Sequence, residues 1–197
     1  MANTWIISDT HFGHSNIIEY CKRPFKDADH MDAVMIKRWQ ARVRPWDTVY
    51  HLGDVMLTAR KTDEELRQFI DQLPGKKILI LGNHDKSAER MMDFGFTHAV
   101  ESAVVSVPGF SGMRVVLNHY PLTFKPLSFS RDGIPPDYVL HGHIHNSTEE
   151  MRREIHEKNE LVHIPSFNIN CCVEMWNYEP CTIQHIIKKH KYFEKGL

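Results

Sequence analysis

The chain has little that could staple it, anchor it or charge it strongly. Four cysteines stand among 197 residues, Cys21, Cys171, Cys172 and Cys181, with no CxxC spacing and with two of them adjacent. Adjacent cysteines suit an ordinary disulfide framework poorly, so reduced structural thiols are expected and a four-thiolate zinc site is excluded. No apolar stretch approaches the ~18 residues needed to cross a bilayer, and no basic segment followed by an apolar one opens the chain. A cytoplasmic address without a membrane partner is the expectation. The formal net charge is −1, from 24 basic and 25 acidic residues, which gives no broad field for gathering nucleic acid or adhering to anionic lipid. No repeat, low-complexity tract or Ser/Gly linker appears, so residues 1–197 are read as a single domain with a full core.

What the sequence does have is short apolar runs and histidine. Trp5–Ser8, Thr48–Leu52, Lys77–Leu81, Arg114–Leu117 and Asp137–Leu140 are rich in Ile, Val, Leu or aromatics and predict core strands. Met31, Val34, Met35 and Trp39 share one face at helical spacing, as do Leu66, Phe69, Ile70 and Leu73. Thr62 with Glu65 forms a capping box, and Pro74-Gly75 stops the chain before the next strand. Alternating strand and helix in the first half argues for βαβ units and a parallel sheet, hence an α/β class. The second half, including His98–Val107, reads as richer in sheet. Thr182 predicts the cap of a last helix with Ile183, Ile186, Ile187 and Phe193 on one stripe. The lysines there, Lys188, Lys189, Lys191 and Lys195, are read as a solvated face rather than a nucleic-acid patch.

Fourteen histidines are too many for the core alone, because buried imidazoles need hydrogen-bond partners. Five times an apolar run ends in metal-competent side chains: Asp9-Thr10-His11, Gly53-Asp54, Gly82-Asn83-His84-Asp85, Asn118-His119 and Gly142-His143-Ile144-His145. Ligands of open α/β sheets bind beyond the carboxyl ends of the strands, so bursts spread over more than 130 residues can converge. Asp9 and His11, like His143 and His145, are two apart; in extended backbone each pair projects to one side while Thr10 and Ile144 point away. Gly53, Gly82 and Gly142 are expected to turn the chain and leave room for a ligand. Carboxylates, one amide and four imidazoles suit Mn²⁺, Fe or Zn²⁺ better than an all-oxygen Ca²⁺ or Mg²⁺ cage. Seven donors, Asp9, His11, Asp54, Asn83, His119, His143 and His145, are too many for one ion and suffice for two if a carboxylate bridges.

In order, DxH, GD, GNHD, H and GHxH over residues 9–145 resemble the calcineurin-like metallophosphoesterase superfamily. Asp9 to His14, followed by Asn16 and Arg23-Pro24-Phe25, is similar to its small bacterial and phage phosphoesterases. The resemblance implies a β-sandwich of two mixed sheets flanked by helices, in four α/β/β/α layers. It further implies two divalent ions, Mn²⁺ foremost. Asp9, His11 and His145 would hold one ion, Asn83, His119 and His143 the other, and Asp54 would bridge. A metal-bridging hydroxide would attack phosphorus in line, His84 would protonate the departing oxygen, and Asp85 would orient His84. The implied partner is a phosphate-ester substrate, monoester or diester, small or nucleotide-like. Ile144 replaces the small polar residue often found within GHxH, at a position expected to face away from the ions. Two other functions are weighed beside it: a metal-binding interaction scaffold with little activity, and a nuclease.

Several residues near the motifs carry open readings. Arg23 offers a forked guanidinium for a substrate phosphate or, equally, a loop salt bridge. His14, His51 and His141 adjoin the motifs as outer partners or substrate contacts. His30, His98, His156, His163, His185 and His190 are read as ordinary. Asn168 through Tyr178 is read as a closing strand and an aromatic lid on the core.

Overall fold

A computed structural model describes residues 2–57, 61–123, 130–131, 133–147, 156–157, 160–161 and 164–194. Four parallel strands, β1 Thr4–Ile7, β2 Thr48–His51, β3 Lys76–Ile80 and β4 His98–Val100, lie side by side in sequence order. A second sheet contains β5 Ser102–Ser106, β6 Arg114–Asn118, β7 Tyr138–His141 and β10 Asn168–Asn170, in the order β10-β7-β6-β5. Here β10, β7 and β6 are parallel and β5 is antiparallel to β6. Between β7 and β10, β8 His156–Glu157 and β9 Glu160–Leu161 pair as a small ribbon. Finally β11 Cys181–Thr182 runs antiparallel along β1, so both larger sheets are mixed.

Strand alternation decides what each sheet face buries. On β1, Trp5 and Ile7 join a cluster with Met31, Met35 and Trp39 of helix α2 Ala28–Arg42 and Leu66 and Ile70 of helix α3 Asp63–Asp71. Ile6 points the other way, into a cluster with Leu52, Ile80, Val115, Leu117, Leu140 and Ile169. That second cluster lies between the sheets, and it is completed by Ile183, Ile186 and Ile187 of helix α5 Ile183–Glu194. Each fully buried side chain of this size contributes about 1.5–3 kcal/mol. Two mixed sheets flanked by helices are therefore the architecture, as the resemblance implied.

Local signals place the helices. Asp27 caps α2 by accepting from the His30 amide at 2.8 Å. Thr62 and Glu65 close both halves of the capping box on α3, and Thr182 Oγ accepts from the His185 amide on α5. Lys189 lies over the Trp176 ring and Lys191 over Phe110, so those two stems and charges are used locally. Phe193's side chain, Lys195 and His163 lie outside the described residues.

The segment His98–Val107 is a finding rather than a match. It divides at Glu101, with β4 finishing the first sheet and β5 opening the second. Helices α1 Asn16–Tyr20 and α4 Ala88–Asp93 were not expected, being too short for a periodic pattern to register.

Candidate metal centre

The carboxyl ends of β1, β2, β3, β6 and β7 all open on one rim, and the five motifs leave the sheets there. Backbone hydrogen bonds continue past the strands: Asp9 N–H to the Gly53 carbonyl at 3.0 Å, His11 N–H to Asp54 at 3.0 Å, Gly142 N–H to His119 at 2.9 Å. The chain there is not extended, which corrects the expectation of simple strand alternation. Asp9, His11, Asp54, His143 and His145 hold φ of 56°, 50°, 57°, 69° and 48°, the left-handed region. Such residues cost about 1–2 kcal/mol each and persist where surrounding structure over-determines them, as at functional sites. Asp9 and His11 still share a side, through left-handed kinks.

The glycines serve closeness more than turning. Of the three, only Gly53 has a positive φ, 99°. A Cβ at Gly82 would stand 2.3 Å from Asp54 Oδ1, and one at Gly142 would stand 2.2 Å from Asp9 Oδ2. The room they leave is taken by the protein's own carboxylates, not kept for an incoming ligand.

Asp54 and His119 define the centre. Asp54 Oδ1 accepts from the His84 amide at 2.9 Å, while Oδ2 lies 3.5 Å from His11 Nε2 and 3.6 Å from His119 Nε2. His119 Nδ1 donates to the Leu52 carbonyl at 2.7 Å, which turns Nε2 toward the centre, 3.1 Å from Asn83 Oδ1. Carboxylate, amide and imidazole atoms turned toward one point suit a cation. His11 Nε2 adds to this, being buried without a hydrogen-bond partner.

Donor atoms of Asp9, His11 and His145 fall within 4.8 Å of one another, and so do those of Asp9, Asp54 and His119. His143 stacks edge-on against His119, ring centroids 5.1 Å apart, and its amide donates to the Asp9 carboxylate at 3.0 and 3.1 Å. Ser8 Oγ at 2.5 Å and Cys172 Sγ at 3.3 Å also approach Asp9 Oδ2.

Burial keeps two of these imidazoles, His11 and His143, neutral, the form that ligates metal. It is the first cause holding His11 at about 2, ahead of the charges on His145 and Arg23. Burial and then His119 hold His143 at about 4. His145 goes the other way: burial opposes its charged form, but hydrogen bonds to Cys21 and Glu174 and the charges of Asp9 and Glu174 push it up to about 10. Burial raises the Asp9 carboxyl.

The His84 side chain is 60% exposed, with Nε2 4.0 Å from Asp54 Oδ2, at the open side of the centre. Asp85 does not orient that ring. Its carboxylate accepts from the amides of Asp54 and Val55, both at 2.9 Å, and of Gly82 at 2.8 Å, so it ties the two motif loops together. Arg23 is not a substrate contact: its side chain is fully buried against Glu174 and the Asp9 and Thr10 carbonyls. The loop salt bridge is the reading that holds. His51 Nε2 meets Thr10 Oγ at 2.9 Å behind the ligand loop, and His141 Nδ1 donates to the Gly142 carbonyl. Ile144 is buried. Asn170, Cys172 and Glu174 went unrecognised as site residues, because nothing in their spacing marks them; Tyr120, 3.5 Å from Asn83 Oδ1, was signalled only by adjacency to His119.

Fold and donor set together define a metal-binding α/β sandwich. Residues 3–164 match the calcineurin-like phosphoesterase superfamily domain. An uncharacterised protein of Methanocaldococcus jannaschii is 34% identical over 201 residues, covering 100% of this chain and 94% of that protein. The gene 66 protein of Mycobacterium phage L5 is 33% identical over 181 residues, covering 79% and 86%. The crystal structure of an Aquifex aeolicus protein of unknown function superposes with a TM-score of 0.67 at 29% identity, covering 95% of this chain and 99% of that one. The chain belongs to the calcineurin-like phosphoesterase superfamily, a family of metal-dependent phosphoesterases. No helix among the described residues is long and apolar enough to cross a membrane.

Proposed function

We propose that this chain hydrolyses a phosphomonoester or phosphodiester, small or nucleotide-like, at a centre of two divalent ions. The observation that carries the reading is Asp54 Oδ2, shared at 3.5 and 3.6 Å between His11 and His119. That is where a bridging carboxylate belongs. Asp9, His11 and His145 would hold one ion and Asn83, His119 and His143 the other. The mixed oxygen and imidazole donors suit Mn²⁺ first, with Fe or Zn²⁺ acceptable. When bound, the pair supplies an activated water and neutralises charge on the phosphoryl oxygens.

The chain's own residues do the rest. Asp85 clamps the Asp54 and Gly82 loops, which fixes the bridging carboxylate. The His84 amide is anchored on Asp54 Oδ1 while its ring stays open to solvent, so the ring can reach a departing oxygen and give it a proton. An alkoxide leaves poorly without one, and a positioned general acid is worth ~10²–10⁴ in rate. The unpaired thiols Cys21, Cys171, Cys172 and Cys181 suit a cytoplasmic setting.

The test is hydrolysis of aryl phosphate monoesters and diesters by Mn²⁺-loaded protein, abolished by chelation. His84→Ala is expected to lower turnover ~10²–10⁴-fold with metal content unchanged. Unaltered turnover would remove His84 from the reaction. No hydrolysis across the panel by metal-loaded protein would favour the scaffold reading.

A further inference from the structure

Residue 164 ends the family match, and the chain returns to the centre after it. The segment following β10 passes directly beneath Asp9 and His145. Asn170 Nδ2 donates to the His145 carbonyl at 2.7 Å, and Cys172 Sγ meets Asp9 Oδ2 at 3.3 Å. The 3-10 turn Val173–Trp176 then brings in Glu174, whose Oε1 lies 3.0 Å from His145 Nδ1. The same oxygen accepts from Arg23 Nε at 2.9 Å and Nη2 at 2.7 Å. Arg23 also donates to the Thr10 carbonyl at 2.8 Å, the Asp9 carbonyl at 2.7 Å and Met31 Sδ at 3.3 Å.

One buried ion pair thus grips the backbone at Asp9 and at Thr10, next to His11, and also the His145 ring. It bears on Asp9, on His145 and on the residue before His11, and these hydrogen bonds go to none of Asn83, His119 and His143. Stability alone explains this poorly, since buried ion pairs are often replaceable by packed apolar residues. Glu174 Oε2 is moreover buried without a hydrogen-bond partner. A carboxylate on Nδ1 of a ligating histidine fixes its tautomer, aims Nε2 and strengthens it as a donor.

We propose that Glu174, held by Arg23, is a positioning residue that sets the affinity of the Asp9–His11–His145 ion separately from that of its neighbour. The inference rests on the two-ion reading above. It is tested by Mn²⁺ calorimetry with elemental analysis on the native chain, Glu174→Ala, and the double variant Arg23→Met with Glu174→Gln. The double variant removes both charges at similar volume, so it guards against simple misfolding, and thermal unfolding of each metal-free protein checks the fold. In both variants one binding event is expected to weaken about 10–100-fold while the other is unchanged. Two binding events unaltered in the variants, or weakened together and equally, would overturn the inference and leave the two-ion reading standing. A native chain that takes up no Mn²⁺ would overturn both.

Discussion

Asp54 divides its oxygens between two tasks, and that division explains much of the centre. Oδ1 holds the His84 amide, so the backbone of the proposed proton donor and the proposed bridging carboxylate move as one unit. Oδ2 is left to face His11 and His119. Asp85 contributes through the backbone, not through the ring of His84, because its oxygens are engaged by three amides. Gly142 shows how tightly these side chains are set. A methyl there would stand 2.1 Å from Ser8 Oγ and 2.2 Å from Asp9 Oδ2. Gly142→Ala is therefore expected to displace Asp9 and weaken metal binding by about 10–100-fold, as losing a partner of a ligand does. Calorimetric Mn²⁺ titration checks it; native affinity in the variant would mean that Asp9 is not held where it must be to ligate. The candidate donors were legible because carboxylate, amide and imidazole each end an apolar run. Their left-handed backbone was not, since no residue type at Asp9 or His143 announces a positive φ.

Strands and the longer helices were legible for a related reason: burial on one or both faces imposes a period, and α2 and α3 are long enough to display it. The five residues of α1 and the six of α4 are not. Between β4 and β5 the apolar pattern runs on through a change of sheet, which periodicity cannot register. His51, the last residue of β2, ties strand chemistry to the centre through Thr10. Burial, with the charge of His119, holds it at about 3 against an ordinary 6.5. A lowered histidine contributes stability that is present above 6.5 and is lost as pH falls toward 3, at about 1.4 kcal/mol per pH unit. His51→Asn lacks that dependence. At pH 7.5 the variant is expected to be less stable than the native chain, having lost the Thr10 partner, with the gap narrowing by about 2 kcal/mol at pH 5. Urea unfolding at both pH values measures the gap; a constant difference would show that His51 takes up a proton by pH 5 in the folded state as it does in the unfolded one.

Across the molecule, parallel strands deliver residues remote in sequence to one rim, and this convergence was the part of the site the motif order made legible. What closes the rim from below was not. Glu174 stands 151 residues from Arg23 and 29 from His145, in a stretch that reads as aromatic packing, and its role exists only once β10 lies beside β7 and the chain turns back under Asp9. Family membership fixes the class of chemistry, and on the open side of the centre the side chains of His84 and Tyr120 both meet solvent. A two-ion centre at Asp54 requires cations at defined places, and anomalous diffraction from Mn²⁺-loaded crystals locates them directly. Two peaks are predicted on either side of Asp54, one reached by Asp9, His11 and His145, the other by Asn83, His119 and His143. A single peak, or manganese bound away from Asp54, would contradict it.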